Sequence, residues 1–179
     1  MLMVVGGVLL GSLSYQFVLG ELPCPLCVIQ RLAFLLACSG LLAVVVEPGG
    51  VPDFSGRKVR GFALCILASL VGSAASVRQV LLHIVPPDKG YGPPVLGMHL
   101  YSWALVVFVC LILGCAIGLL GISPESRPLP RFFRNGLAGF IIGLAVAVAV
   151  VTFAMQGFAF LLPDDPMNYH LFHQLRLVP

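Results

Sequence analysis

Charge is what this chain most lacks. Of its 179 residues, ten are Lys or Arg and seven are Asp or Glu, together 9%. A soluble domain carries about a quarter. Hydrophobic residues make up 59% of the chain, in long runs and not in alternating or amphipathic stripes. That combination excludes a soluble globular domain and implies an all-α integral membrane protein. No Asp or Glu lies in the middle of an apolar run, so nothing is placed to couple ion movement. The formal net charge is only +3. Basic residues in such a chain report orientation, and no nucleic-acid binding is implied.

Five apolar stretches are long enough to cross a hydrocarbon core, which takes about 20 helical residues. They lie near residues 1–20, 28–46, 61–85, 98–122 and 136–162. Each must satisfy its own backbone hydrogen bonds in lipid, so each is expected to be an α-helix. The first lacks a basic leading region and a small-residue cleavage site, which favours a retained helix over a signal peptide. Pro/Gly-rich connections separate the runs, and a tail, 163–179, follows the last. There is no internal repeat, so a single membrane domain over residues 1–179 is expected. Small residues at Gly6-Gly7, Gly11, Gly72 to Ala75 and Gly136 to Gly143 are candidates for helix contacts.

The connection 47–60 carries Arg57, Lys58 and Arg60, and 123–135 carries Arg127, Arg131 and Arg134. The positive-inside rule places both in the cytoplasm. Segment 20–27 has no Lys or Arg, 86–97 has Lys89 opposed by Asp88, and the tail has Asp164 and Asp165 against Arg176. The N-terminus is therefore expected inside and the C-terminus outside. In a bacterial inner membrane the outer side is oxidising, where disulfides persist.

Of six cysteines, Cys38, Cys65, Cys110 and Cys115 lie inside spans, where packing is their expected role. Cys24 and Cys27 alone lie at a water boundary. Pro25 suits a first helical position, which puts Cys24 at the N-cap of the second helix and Cys27 in its first turn. The unpaired N–H groups and the positive dipole end there favour a thiolate. A CxxC at a helix start also closes into a disulfide and forms a two-electron couple. At about 100° per residue, Cys24, Cys27 and Arg31 fall within roughly 60° of one another. Arg31 therefore stabilises a thiolate or binds a polar headgroup or quinone oxygen, or else only snorkels to lipid phosphate. Two other readings stay open for the pair. One is a zinc site, which lacks a second CxxC; the other is a purely structural disulfide.

The stretch Leu22-Pro23-Cys24-Pro25-Leu26-Cys27-Val28-Ile29-Gln30-Arg31 resembles the disulfide-bond formation protein B (DsbB) family. Its motif there reads P-C-x-L-C-x-x-[EQ]-R. Tyr15-Gln16 looks like the family's aromatic-Gln segment, and Val77 to His83 looks like the end of its third helix. The resemblance spans roughly residues 10–122. It implies a four-helix transmembrane bundle, to which this chain adds a fifth helix. It also implies a protein-dithiol:quinone oxidoreductase acting in disulfide bond formation. A periplasmic DsbA-like thiol oxidase would be the partner and ubiquinone or menaquinone the cofactor, with no metal. Carried over, Cys27 is the thiolate nearest the quinone, Cys24 exchanges disulfides, and Arg31 sits at the quinone. His83, Arg78 and Gln79 are further cofactor-binding candidates, with interfacial anchoring as the plainer role.

The chain departs from the family in one respect that touches mechanism. Family members carry a second cysteine pair in the outer loop between helices three and four. Here that loop reads Gly90-Tyr91-Gly92-Pro93-Pro94, with Tyr91 in the place of the first cysteine. The usual relay within one chain is therefore absent. A partner meets Cys24–Cys27 directly, another chain supplies the pair, or electrons flow in the opposite direction. His99 and Trp103 are one turn apart and are candidates for the quinone pocket. The tail is expected to hold a short interfacial helix burying Leu171, Phe172 and Leu175, with His170 and His173 as an alternative metal site. The competing function class is a non-catalytic scaffold or transporter subunit that kept the fold.

Overall fold

The computed structural model describes residues 1–20, 22–46, 54–85, 90, 92–121, 130–159, 169, 171, 174 and 175. Five α-helices follow in order: α1 (Leu2–Val18), α2 (Pro25–Val45), α3 (Phe54–Leu82), α4 (Leu100–Leu120) and α5 (Arg131–Gln156). A short 3-10 turn, Gly157–Ala159, ends α5. Among the described residues there is no strand, only an isolated bridge between Val95 and Met98. The helices α2 to α5 are long and apolar enough to cross a membrane. At 17 residues, α1 is about 25 Å long, shorter than the other four. Leu67, Leu70, Val71, Ile117, Val146 and Val150 are exposed at mid-helix, as lipid-facing side chains must be. The protein is a multi-pass membrane protein of all-α class.

Helix bounds differ from the apolar runs for a physical reason. Arg57, Lys58 and Arg60 end the apolar run at 61, yet α3 continues through them to Phe54. Charge ends a hydrocarbon-compatible stretch but not a helix, whose backbone bonding continues into water. Arg131 and Arg134 likewise open α5 five residues before its apolar run.

The closest helix crossing joins α2 and α3. A Cβ on Gly40 would lie 2.6 Å from the carbonyl oxygen of Gly61, and one on Gly61 would lie 2.6 Å from that of Gly40. Only two glycines allow this backbone contact. Neither is among the small residues that the sequence pattern singles out. Of those, Gly6 receives Phe140 and Gly72 receives Phe108, while Gly7, Gly11, Gly136, Gly139 and Gly143 face open space. The core runs through all five helices, with Val5, Leu9, Ala37, Phe108, Leu111 and Val148 among its members. At its centre Phe34 of α2 stacks on Phe108 of α4, ring centroids 3.9 Å apart at 11°. Cys38, Cys65 and Cys115 are fully buried in the same core.

Helix direction alternates along the chain. The C-terminal ends of α1 and α3 meet the N-terminal end of α2 through Gln16 and Gln79, and that of α5 reaches Gln16 of α1 through Met155. Arg57, Lys58, Arg60, Arg131 and Arg134 all sit at the opposite ends of their helices.

Candidate redox site

The N-terminal end of α2 is built as its sequence requires. Cys24 is the N-cap, with extended backbone (φ −67°, ψ 166°), and Pro25 follows at the first helical position. The Cys24 sulfur accepts the Cys27 backbone N–H at 3.3 Å, which occupies one of the donors that a helix start leaves open. The two sulfurs lie 2.8 Å apart. A disulfide would bring them to about 2.0 Å. The hydrogen bond with Cys27, together with burial, pushes the Cys24 thiol well above its ordinary range.

A second polar layer comes from α3. Gln79 is 1% exposed, and its side-chain amide nitrogen donates to the Cys24 sulfur at 3.3 Å and to the Cys27 sulfur at 3.4 Å. Its amide oxygen accepts from Gln30 of α2 at 2.9 Å. Arg31 is 6% exposed, and it turns toward α1. Its Nε donates to Ser12 Oγ at 2.6 Å, one terminal nitrogen to Gln16 Oε1 at 2.7 Å, and the other to the Ser12 carbonyl at 2.9 Å. A guanidinium anchored in this way does not snorkel to lipid phosphate. The Gln16 amide nitrogen in turn donates to Met155 Sδ of α5 at 3.3 Å and to the Tyr169 hydroxyl at 3.0 Å.

A cavity of about 470 Å³ opens beside this network. Its walls are mainly apolar, from Val8, Leu9, Phe34, Leu100 and Trp103, with Cys27, Gln30, Arg31 and Gln79 as the polar side. This is the common form of a small-molecule site: an apolar slot with a few convergent polar groups. Cys27 lines it and Cys24 does not.

The other sequence candidates are placed differently. Arg78 is exposed and does not line the cavity. It is adjacent to Gln79, and about 100° of helical rotation separates a buried face from an outer one. His83 also lies off the cavity wall and packs beside Tyr101, ring centroids 5.8 Å apart. Tyr101 itself lines the cavity, so His83 backs the site from behind it. His99 stacks on the same tyrosine at 5.3 Å and makes a 3.0 Å contact from Nδ1 to the Gly92 carbonyl. Trp103 does line the cavity, and its indole N–H is held by the Val95 carbonyl at 2.9 Å. Tyr91, His170, Phe172 and His173 lie outside the described residues. Leu171 is half-buried and Leu175 exposed. Among the described residues no group of three His, Cys, Asp or Glu side chains is arranged for a metal ion. Ser12, Gln16, Gln30 and Tyr169 are members of the site that sequence reasoning did not assign. Gln16 carried a signal, since it follows Tyr15 as in the family's aromatic-Gln segment.

The family model described as disulfide bond formation protein DsbB matches residues 1–91. The chain belongs to the DsbB family. It is 40% identical over 79 residues to disulfide bond formation protein B of Chromobacterium violaceum, covering 44% of this chain and 45% of the relative. It is 34% identical over 133 residues to disulfide bond formation protein B 1 of Pseudomonas savastanoi pv. phaseolicola, covering 55% of this chain and 73% of that one. The Saccharophagus degradans protein B is 37% identical over 84 residues, 46% of this chain and 48% of the relative. The chain thus spans about half the length of the first and third of these relatives. No solved structure matches it. Cys24–Cys27 lies inside the matched region. The family match ends at residue 91, so α4, α5 and Tyr169 lie beyond it.

Proposed function

We propose that this chain is a membrane protein-dithiol:quinone oxidoreductase that supports disulfide bond formation. Electrons from a reduced, DsbA-like thioredoxin-fold protein enter the Cys24–Cys27 disulfide and leave it at Cys27. The observation that carries this reading is the division within the pair: Cys27 lines the apolar cavity, while Cys24 stays off its wall. The cavity fits a quinone ring in size and in its apolar walls. A bound ubiquinone or menaquinone supplies a two-electron acceptor there. Phe34, Trp103 and Leu100 would hold its faces, and Arg31 and Gln30 would donate to its oxygens. Two N–H groups of the Arg31 guanidinium remain after its three bonds to α1.

Cys24 is the sulfur that exchanges with the partner. It is only 7% exposed, so the connection between α1 and α2 must open for a partner thiol to reach it. The electron balance is simple. A partner dithiol gives two electrons and becomes a disulfide. Of its two protons one stays on Cys24 and one leaves to water, and Cys27 becomes a thiolate. The five helices act as one membrane domain, since one core includes residues from each. The basic ends of α3 and α5 lie opposite the redox pair. By the positive-inside rule this supports a position of the pair on the periplasmic side of a bacterial inner membrane.

The test is turnover. The full chain in detergent, given a reduced thioredoxin-like protein and a soluble quinone, is expected to reduce the quinone as partner thiols are lost. Both Cys24→Ala and Cys27→Ala should abolish this. Undiminished turnover in either variant overturns the proposal.

A further inference from the structure

We infer that Gln79 is a catalytic residue of the thiol–disulfide couple, a neutral donor that holds the anionic sulfur left when Cys24–Cys27 is reduced. The inference rests on the oxidoreductase reading above and names the group that sets its driving force.

Geometry separates Gln79 from the other polar residues nearby. Arg31 carries the nearest positive charge, yet each of its three nitrogens is bonded to Ser12 or Gln16 of α1, and none bonds to a sulfur. Its charge acts on the pair only through space. Gln79 instead presents its amide nitrogen to both sulfurs, at 3.3 and 3.4 Å. The direction of that amide is fixed. Gln30 donates to its oxygen at 2.9 Å, which pins the amide with its NH2 group toward the pair, and the same oxygen lies 3.8 Å from Cys27 Sγ, where it accepts the S–H of the protonated thiol. Gln79 is 1% exposed, so little water competes for the sulfurs.

A neutral donor suits a site that alternates between two charge states. The oxidised pair is uncharged, and the reduced pair carries one negative charge once either thiol ionises. A Lys or Arg against the sulfurs would be a buried charge without a partner in the oxidised state. An amide costs far less there, because its dipole carries no net charge. On reduction it meets the new anion with a charge-assisted hydrogen bond, about twice as strong as a neutral one. Stabilising the reduced form makes the disulfide a stronger oxidant. Such an oxidant is what a chain that draws electrons from a partner dithiol needs.

The inference is tested without quinone or partner, by equilibrating the purified full chain with glutathione redox buffers and measuring the fraction of Cys24–Cys27 reduced. Gln79→Leu is expected to lower the equilibrium constant for reduction about tenfold, the effect of losing one hydrogen bond to a charged group. The thiolate absorbance of the reduced pair at neutral pH should fall with it. Gln30→Leu, which frees the amide to rotate, is expected to give a smaller shift of the same sign, about threefold. Gln79→Met keeps the length and removes the donor, and it serves where the leucine variant does not fold. A folded Gln79 variant whose equilibrium constant equals that of the native chain overturns the inference and leaves the oxidoreductase reading standing. Failure of the native chain to turn over quinone has the opposite meaning, since the glutathione equilibrium does not depend on it.

Discussion

Two groups of cysteines share one bundle and differ in everything except residue type. Cys24 and Cys27 sit at the start of α2, against Gln79 and within reach of Arg31. Cys38, 14 residues deeper on the same helix, is fully buried with Cys65 and Cys115 in the apolar core that also holds the Phe34–Phe108 stack. A helix rises about 1.5 Å per residue, so some 21 Å separate the two environments. At one end a sulfur finds N–H donors, a helix N-terminus and a cavity. In the middle the sulfurs meet hydrocarbon and one another, Cys65 bonding to Cys115, and are packed as small apolar side chains.

The widest gap between the two groups should appear on substitution. Cys24→Ala or Cys27→Ala is expected to cut quinone-dependent thiol oxidation by on the order of a thousandfold or more. Cys38→Ala, Cys65→Ala and Cys115→Ala should leave turnover close to native and cost about 1 kcal/mol of stability each. Loss of turnover in a core variant that still folds would erase the distinction. The converse change is Phe108→Ala, which empties the centre of the stack. It is expected to cost about 3–5 kcal/mol, read as a lower unfolding temperature in detergent, while the glutathione equilibrium of Cys24–Cys27 stays native.

The two regions were also unequally legible in the sequence. The helix start at Cys24-Pro25 and the shared face of Cys27 and Arg31 follow from local rules, capping and 100° per residue, and the structure places them so. The partners of Arg31 do not follow from local rules. Ser12 and Gln16 lie 19 and 15 residues away on another helix, and only packing reveals them. Arg78 and Gln79 show the same limit from the other side. As neighbours they look equivalent in sequence, and only the phase of α3 sends the glutamine to the sulfurs and the arginine outward. The core was legible as composition but not as contact. Nothing local marks Gly40 and Gly61 above the other glycines, because their pairing is set by where α2 and α3 cross.

Arg31 tests the redox end more finely. Arg31→Ala removes donors from the cavity wall and leaves Ser12 and Gln16 without their partner. The KM for quinone is expected to rise about tenfold, the worth of a charge-assisted hydrogen bond, with the disulfide still able to form. Arg31→Lys should recover little of this, since an ammonium cannot span both α1 residues and the cavity as a planar fork does. A native KM in Arg31→Ala would separate the arginine from the cavity altogether.

The smallest effect concerns Tyr169. Its hydroxyl accepts from the Gln16 amide at 3.0 Å, and the oxygen of that amide accepts from Arg31 at 2.7 Å. A second contact nearby is the Phe158 N–H donating to Gln174 Oε1 at 2.8 Å. A residue beyond the family match thus touches the arginine network through one intermediary. Tyr169→Phe removes a neutral acceptor and keeps the ring, and Gln16 retains Met155 Sδ at 3.3 Å as a weaker one. One neutral hydrogen bond is worth about 1 kcal/mol, and part of it is recovered by the sulfur. The KM for quinone should therefore rise about threefold, with kcat and the glutathione equilibrium unchanged. That split matters because a merely structural tyrosine would lower the unfolding temperature and leave KM alone. An unchanged KM in Tyr169→Phe would confine Tyr169 to the stability of the bundle and leave Met155 as the contact of α5 with the arginine network.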